Sequence, residues 1–180
     1  MRRLALCALA AAALSSPLSA QVRTTSFGIA AGASLPMGDI ADGTEMGFNV
    51  TGSLYIRPAR FANLGFRGDI AFDQFSLKNV DDSSIRSLGF VFNGLYNIPV
   101  SASSVRPYAL LGIGFFSTKT SVSNGATTIS ASDSNLGYQA GAGLSFQLSG
   151  FSTFLEAKYV NVMTEPNSTA FLPITFGVRF

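Results

Sequence analysis

The sequence predicts an all-β protein, an eight-stranded antiparallel up-and-down transmembrane β-barrel. Three observations predict this fold class. The chain ends in a segment, 172–180, whose apolar and polar side chains alternate with period two, and seven earlier segments alternate in a similar way. The chain is 47% hydrophobic and only 12% charged, yet after residue 20 it has no apolar run of helix length. Only helices and closed barrels satisfy their backbone groups in lipid, so a barrel is expected.

The first twenty residues are predicted to form a cleaved secretory signal peptide. A basic start is followed by an apolar run that ends at Leu14, and small residues lead to a cleavage position after Ala20. The apolar run is too short to span a bilayer as a helix, which takes about 20 residues. The expected domain organisation is therefore a signal peptide at 1–20 and an outer-membrane β-barrel domain at 21–180.

Loss of this segment changes the charge and the redox chemistry of the chain. Cys7 is the one cysteine, so the mature chain is expected to have no thiol for disulfides, metal binding or nucleophilic attack. The twelve Lys and Arg residues include Arg2 and Arg3, and the ten that remain balance ten Asp and Glu residues. A balanced charge leaves no basic face of the kind that binds nucleic acid.

A tilted barrel strand needs about 9–11 residues to cross the hydrocarbon, and the predicted strands have between 8 and 14 residues. The expected outward face is apolar and the expected inward face is polar or small. The eight segments, in chain order, are 26–35, 47–57, 62–72, 85–98, 108–115, 136–148, 151–161 and 172–180.

The first four segments differ in how clearly they alternate. Segment one sets apolar residues against glycine, alanine and serine. Segments two and three place Arg57, Arg67 and Asp69 on the inward face. Segment four is the weakest, because Val91 and Leu95 share its inward face.

The last four segments alternate more clearly. Segment five follows Pro107 and has glycines and a tyrosine on its inward face. Segment six alternates apolar residues with glycine, serine and glutamine along its whole length. Segment seven turns Glu156 and Lys158 inward, and segment eight does the same with Arg179.

The connections are predicted to alternate in length. Outer-membrane barrels have short periplasmic turns and long external loops, so both chain ends are expected in the periplasm. The short connections are 58–61, 99–106 and 149–150, and the long ones are 36–46, 73–84, 117–135 and 162–170.

Eight of the ten acidic residues fall in or beside the predicted long loops. A solvated surface is the simpler interpretation, and coordination of divalent cations is the alternative. The acids at 39–45 lack the ligand spacing of a calcium-binding loop. The eight acids are Asp39, Asp42, Glu45, Asp73, Asp81, Asp82, Asp133 and Glu165.

Four short motifs carry a family resemblance: Pro-Tyr-Ala-Leu-Leu-Gly-Ile-Gly at 107–114, Gly-Tyr-Gln-Ala-Gly-Ala-Gly at 137–143, Glu-Ala-Lys-Tyr at 156–159 and the phenylalanine-terminated segment 173–180. Their order and spacing resemble the small outer-membrane β-barrel family, the OmpA-like and OmpX-like eight-stranded proteins, over 21–180.

The resemblance implies a monomer integral to the outer membrane of a Gram-negative-type cell, in contact with lipid and lipopolysaccharide. It also implies that the barrel-assembly machinery reads the last strand. The residues of that implied signal are Ile174, Phe176, Val178 and Phe180. No cofactor and no nucleic-acid partner are expected.

The candidate site is a set of charges in the lumen. An isolated buried ion is costly, so these side chains are expected to pair. A static ion-pair network is favoured over a gate, because eight strands enclose just enough space for side chains to fill. The predicted members are Arg57, Arg67, Asp69, Glu156, Lys158 and Arg179.

Catalysis is not expected. The chain has no histidine, so a serine would lack an imidazole base and a metal would lack its commonest ligand. By resemblance, the enzymes known on outer-membrane barrels use a catalytic histidine. Asp69 and Glu156 could act as an acid-base pair, but Arg67 and Lys158 beside them are expected to keep both ionised.

The function expected from the sequence is a structural or cell-surface interaction role. A narrow passive channel for small solutes or ions is the alternative. A lipid-modifying enzyme is a third and weaker hypothesis.

Overall fold

The computed structural model describes residues 25–78, 83–101, 104–123, 128–164 and 168–180, with the backbone alone at 122–123 and 128–130. The predicted signal peptide, Arg23, Asp81, Asp82 and Glu165 lie outside the described residues. Within these ranges, no helix is both long enough and apolar enough to span a membrane.

Eight strands form a closed barrel in which each strand pairs with its neighbours in chain order. This confirms the predicted fold class. A single turn of 3-10 helix, Gly38–Ile40, follows the first strand. The strands are β1 Thr25–Met37, β2 Gly47–Ile56, β3 Leu64–Ser76, β4 Ser84–Asn97, β5 Val105–Ser123, β6 Thr128–Gln147, β7 Ser152–Val162 and β8 Thr169–Arg179.

The barrel is closed by antiparallel pairing of β1 with β8. Phe27 and Phe180 exchange two backbone hydrogen bonds, of 3.2 and 2.8 Å, where the two strands meet. Further along this seam, a Cβ on Gly32 would overlap the carbonyl oxygen of Ile174. Glycine at position 32 therefore allows the first and last strands to approach closely.

Two ends of the barrel are distinguished by their connections. The terminal end holds the start of β1, the end of β8 and the connections 57–63, 98–104 and 148–151. The loop end holds the connections 38–46, 77–83, 124–127 and 163–168.

The two faces of the sheet differ as period two predicts. Large apolar residues on the outward face are exposed, as in a barrel whose wall meets lipid, and inward residues are buried. The predicted inward face of β4 is also correct, since Val91 and Leu95 are 3% and 6% exposed. Both side chains belong to apolar clusters in the lumen, while Ser87 and Asn93 on the same inward face are buried polar residues.

The predicted loop 117–135 is wrong. β5 and β6 continue as a paired hairpin through Ser117↔Ser134 as far as Ser123↔Thr128. The threonines in this stretch favour the extended backbone, and the ladder satisfies backbone groups that a loop would leave to water. The connections at the two ends are therefore similar in length, unlike the predicted alternation of short and long ones. The main difference between the ends is the β5–β6 hairpin, which extends beyond the other strands at the loop end.

Candidate functional site

The charged site lies in the middle of the lumen and joins opposite walls of the barrel. Arg67 and Asp69 are on β3, and Glu156 and Lys158 are on β7. Three strands separate β3 from β7 in either direction around the closed barrel. All four side chains are buried, at 1–3% exposure. Contacts between these two strands therefore cross the whole lumen.

A two-point ion pair between Arg67 and Glu156 makes this crossing. Arg67 Nη1 lies 2.6 Å from Glu156 Oε2, and Nη2 donates to Oε1 at 2.9 Å. The same guanidinium contacts Asp69 Oδ2, through Nε at 3.1 Å and Nη2 at 2.9 Å. Arg67 thus binds two carboxylates with fork geometry, which is the strong form of this interaction.

Polar neighbours on four other strands complete the network. Glu156 also accepts a 2.7 Å hydrogen bond from the Tyr108 hydroxyl, and Lys158 Nζ lies 3.6 Å from its other oxygen. Asp69 accepts hydrogen bonds from Ser53 Oγ at 2.6 Å and Asn93 Nδ2 at 2.9 Å. Gln139 in turn donates to Asn93. The strands β2 to β7 are consequently linked through side chains inside the barrel.

A second buried carboxylate lies closer to the loop end. Asp73 accepts hydrogen bonds from Ser34 Oγ at 2.9 Å and Asn49 Nδ2 at 2.8 Å. Thr51 donates to the other side of the Asn49 amide, at 2.8 Å. This cluster ties β1, β2 and β3 together by hydrogen bonds from neutral groups.

Apolar clusters lie on either side of the polar network, whose charged side chains are 1–3% exposed. The lumen cross-section is therefore filled above and below the ion pairs. The cluster toward the terminal end contains Ala30, Tyr55, Leu95, Tyr108, Leu110 and Phe154. The cluster toward the loop end contains Phe75, Val91, Phe116, Val160, Val162 and Phe171.

Two of the six predicted members lie outside these ion pairs. Arg179 donates to Ser152 Oγ at 3.1 Å, and its guanidinium lies 5.2 Å from the centre of the Tyr55 ring. Arg57 is half-buried just beyond β2 and has no ion pair within the described ranges. Both are at the terminal end, where partial exposure to water removes the need for a buried partner.

Five uncharged members of the network lie outside the six predicted residues. Ser53, Tyr55, Asn93, Tyr108 and Gln139 occupy inward positions of their strands, so alternation placed them in the lumen. What alternation does not give is depth, and these residues share one level with the ion pairs. Their polar groups at inward positions next to Arg67 were the available signal.

The arrangement gives little support to acid-base chemistry. Asp69 and Glu156 both contact the Arg67 guanidinium, which occupies carboxylate oxygens that an acid-base pair would need. The described part of the chain has no group of three or more acidic, histidine or cysteine side chains placed to hold a metal ion. The glycine pairs at 112/114 and 141/143 lie within β5 and β6 and form no phosphate loop.

The residues of the implied assembly signal lie along the outward face of β8. Ile174, Phe176 and Phe180 are exposed at 40%, 56% and 49%, and Val178 is partly exposed. Phe180 also contacts the ring of Phe151, at 6.5 Å between centres. The outward face of the last strand is thus apolar and exposed next to the seam with β1.

Comparison with known proteins identifies the type of barrel. The family model described as "Outer membrane protein beta-barrel domain" matches residues 4–180. No curated protein matches the sequence.

Solved structures share the fold. Neisserial surface protein A (NspA) is 18% identical with a TM-score of 0.62, and the match covers 86% of this chain and 94% of NspA. Ail, the attachment invasion locus protein of Yersinia pestis, is 20% identical with a TM-score of 0.56, covering 87% of this chain and 97% of Ail. A second Ail structure, in complex with the heparin analogue sucrose octasulfate, has a TM-score of 0.53. At such identities the likeness concerns the fold alone.

Proposed function

This chain belongs to the outer membrane protein β-barrel domain family and is integral to the outer membrane, and from that premise we propose that it is a structural or cell-surface interaction protein whose lumen does not conduct. The observation that carries the proposal is the ion pair from Arg67 to Glu156 across the lumen. It lies between two apolar clusters, so a solute would have to displace both a paired charge and packed aromatic rings.

Burial of the pair supports a static role. Arg67 and Glu156 are 1% and 2% exposed, and separating them would leave two unpaired charges out of water. A gate needs a second arrangement of similar free energy for the same side chains. The hydrogen bonds from Tyr108, Ser53 and Asn93 hold the carboxylates in the present one.

Planar-bilayer recording of the full chain tests whether the lumen is closed. We expect no stable open level for the wild type, with insertion checked by the difference in gel mobility between boiled and unboiled samples. Arg67→Ala removes the crossing side chain and is recorded beside the wild type, although both apolar clusters remain in place in this variant. A stable wild-type conductance that changes in Glu156→Gln would favour the narrow channel instead.

The surface role rests on the loop end. Four acidic side chains are exposed at this end: Asp39, Asp42, Glu45 and Asp133. The β5–β6 hairpin also projects beyond the other strands there. Ail, with a related fold, is named for attachment and has been solved with a sulfated sugar. Because the loop end of this chain carries acids, we propose that its partner is not a polyanion.

Trimming the hairpin tests the surface role. Replacing 118–133 with a two-residue turn removes the projection and leaves the lumen-facing network in place. We expect adherence and aggregation of expressing cells to fall while gel mobility still shows a folded barrel. Unchanged adherence would contradict the surface role of the hairpin, and the structural role would be the one that remains. Contact with lipopolysaccharide, recognition of β8 by the assembly machinery and a monomeric state are part of the same proposal.

A further inference from the structure

The terminal end of the barrel carries arginines that pair with no acidic side chain among the described residues. Arg57, Arg60, Arg106 and Arg179 lie at this end. None of the ten acidic residues of the sequence falls within its connections, 57–63, 98–104 and 148–151. The nearest acid on the adjoining strands, Glu156, is already bound by Arg67 and Tyr108.

Two cavities meet at Arg57. One, of about 330 Å³, opens at the mouth of the barrel and is lined by Tyr55, Arg57, Ser152 and Arg179 among others. The second, of about 320 Å³, is lined by Arg57, Asn63, Asn97 and Arg106. Arg57 therefore separates two spaces, each of which has a second arginine and neutral hydrogen-bonding groups.

Arg179 at the mouth is held in place without an anionic partner among the described residues. The Arg179 guanidinium lies over the Tyr55 ring while its Nε donates to Ser152. Burial, followed by the charges of Arg179 and Arg106, lowers the pKa of the Arg57 guanidinium. Phe180 also lines the larger cavity, and among the described residues it makes no ion pair with either arginine.

The rim of the larger cavity is apolar. Ile56, Phe66, Phe151 and Phe180 line it from the outward face and are 39–49% exposed. A ligand in this cavity would meet cationic groups on the lumen side and apolar side chains on the lipid side. That combination fits an amphiphile whose head is an anion.

We propose that the larger cavity, at the mouth of the barrel on its terminal end, binds a phosphate group through Arg57 and Arg179, with Arg106 as the flanking charge. One guanidinium group can donate two parallel N–H hydrogen bonds to the oxygens of a phosphate. The present site offers two guanidinium groups beside hydroxyl and amide donors. The phosphate comes either from the headgroup of a lipid in the adjacent leaflet or from free phosphate. The apolar rim favours the lipid headgroup.

Calorimetric titration of the full-length protein in octyl glucoside at low salt tests the site. One arm uses inorganic phosphate and the other uses short-chain phosphatidic acid. We expect saturable binding that the double variant Arg57→Gln/Arg179→Gln weakens at least tenfold. Arg86→Gln, at an exposed arginine near the loop end of β4, is the matched control and should bind as the wild type does.

The two arms identify the source of the phosphate. Phosphatidic acid binding at least tenfold more tightly than inorganic phosphate indicates a lipid headgroup, and equal binding indicates free phosphate. The site is overturned if neither probe saturates, if the double variant binds as tightly as the wild type, or if Arg86→Gln weakens binding equally. Gel mobility verifies folding, and Arg106→Gln, expected to give a smaller loss, replaces the double variant if that fails to fold.

Discussion

The middle of the lumen and the mouth at the terminal end both contain arginine, but the charge is paired with carboxylates in the first region and lies beside other arginines in the second. Arg67 is 1% exposed and contacts two carboxylates. Arg57 is half-buried at the mouth, where the charges of Arg179 and Arg106 act on it. Full burial requires a partner because an unpaired ion in a low dielectric is very costly, whereas partial exposure leaves water to solvate the charge.

The difference separates two roles for the same residue type. A paired arginine inside the barrel fixes the positions of opposite strands and contributes to stability. An unpaired arginine at an opening contributes little to stability and keeps its donors available for another molecule. The predictions below test this contrast in order of decreasing expected effect on the free energy of unfolding.

The largest effect is expected for Glu156→Gln. This change leaves the Arg67 charge buried with only Asp69 as its anionic partner, and we expect a loss of about 3 kcal/mol, the lower part of the range for a broken buried pair. Urea unfolding of the protein in lipid vesicles measures it. Asp133→Asn, at an exposed acid near the loop end, is the control, and a similar loss there would contradict the contrast.

Replacing both partners should cost less than the sum of the two single losses. Arg67→Met/Glu156→Leu removes both ions of the crossing pair, but it leaves Asp69 without its arginine and Lys158 without its glutamate, so we expect a loss of stability that is smaller than the summed losses of the two single variants. The same unfolding measurement, combined with the two single variants, gives their coupling energy. Additive losses would show that the crossing pair is not the source of the stability.

Lys158→Met should have an intermediate effect. Lys158 Nζ is 3.6 Å from Glu156, which keeps Arg67 and Tyr108 when the lysine is removed. We expect a loss of about 1–2 kcal/mol, that of one charged contact. A loss as large as that of Glu156→Gln would mean that Lys158, rather than Arg67, neutralises the glutamate.

The smallest effect is expected at the mouth. Arg57→Gln removes a charge that faces other arginines, so the free energy of unfolding should change by no more than about 0.5 kcal/mol. Unfolding in urea beside the Glu156→Gln protein gives the comparison directly. A loss above 2 kcal/mol would place Arg57 among the groups that hold the barrel together.

The alternation of apolar and polar residues in the sequence was enough to predict the barrel and to tell, for most side chains, whether they face the lumen or the outside. It placed Arg67, Asp69, Glu156 and Lys158 in the lumen because period two fixes the side of a strand on which a residue lies. It did not separate them from Arg57 and Arg179, since depth along the axis depends on strand stagger. The partner of Arg67 across the lumen likewise depends on closure, which has no local signal.

The limits of the strands were less predictable than their faces. The segment 117–135 is rich in serine, threonine and asparagine, a composition shared by loops and by hairpins beyond a membrane. Pairing of Ser117 with Ser134 and of the residues beyond them is settled by the partner strand, not by either segment alone. Local composition therefore gave the wrong structure there.

The seam between β1 and β8 has a consequence for how the molecule forms. Phe27 and Phe180 bond to each other although nearly the whole chain separates them. Contacts between such distant residues close the longest possible loop and are slow to form. Until Phe180 arrives, the edge of β1 has unpaired backbone groups that can join another chain. We expect the newly exported chain to need protection of the β1 edge against pairing with other chains. That need ends when β8 pairs with β1 and the barrel closes.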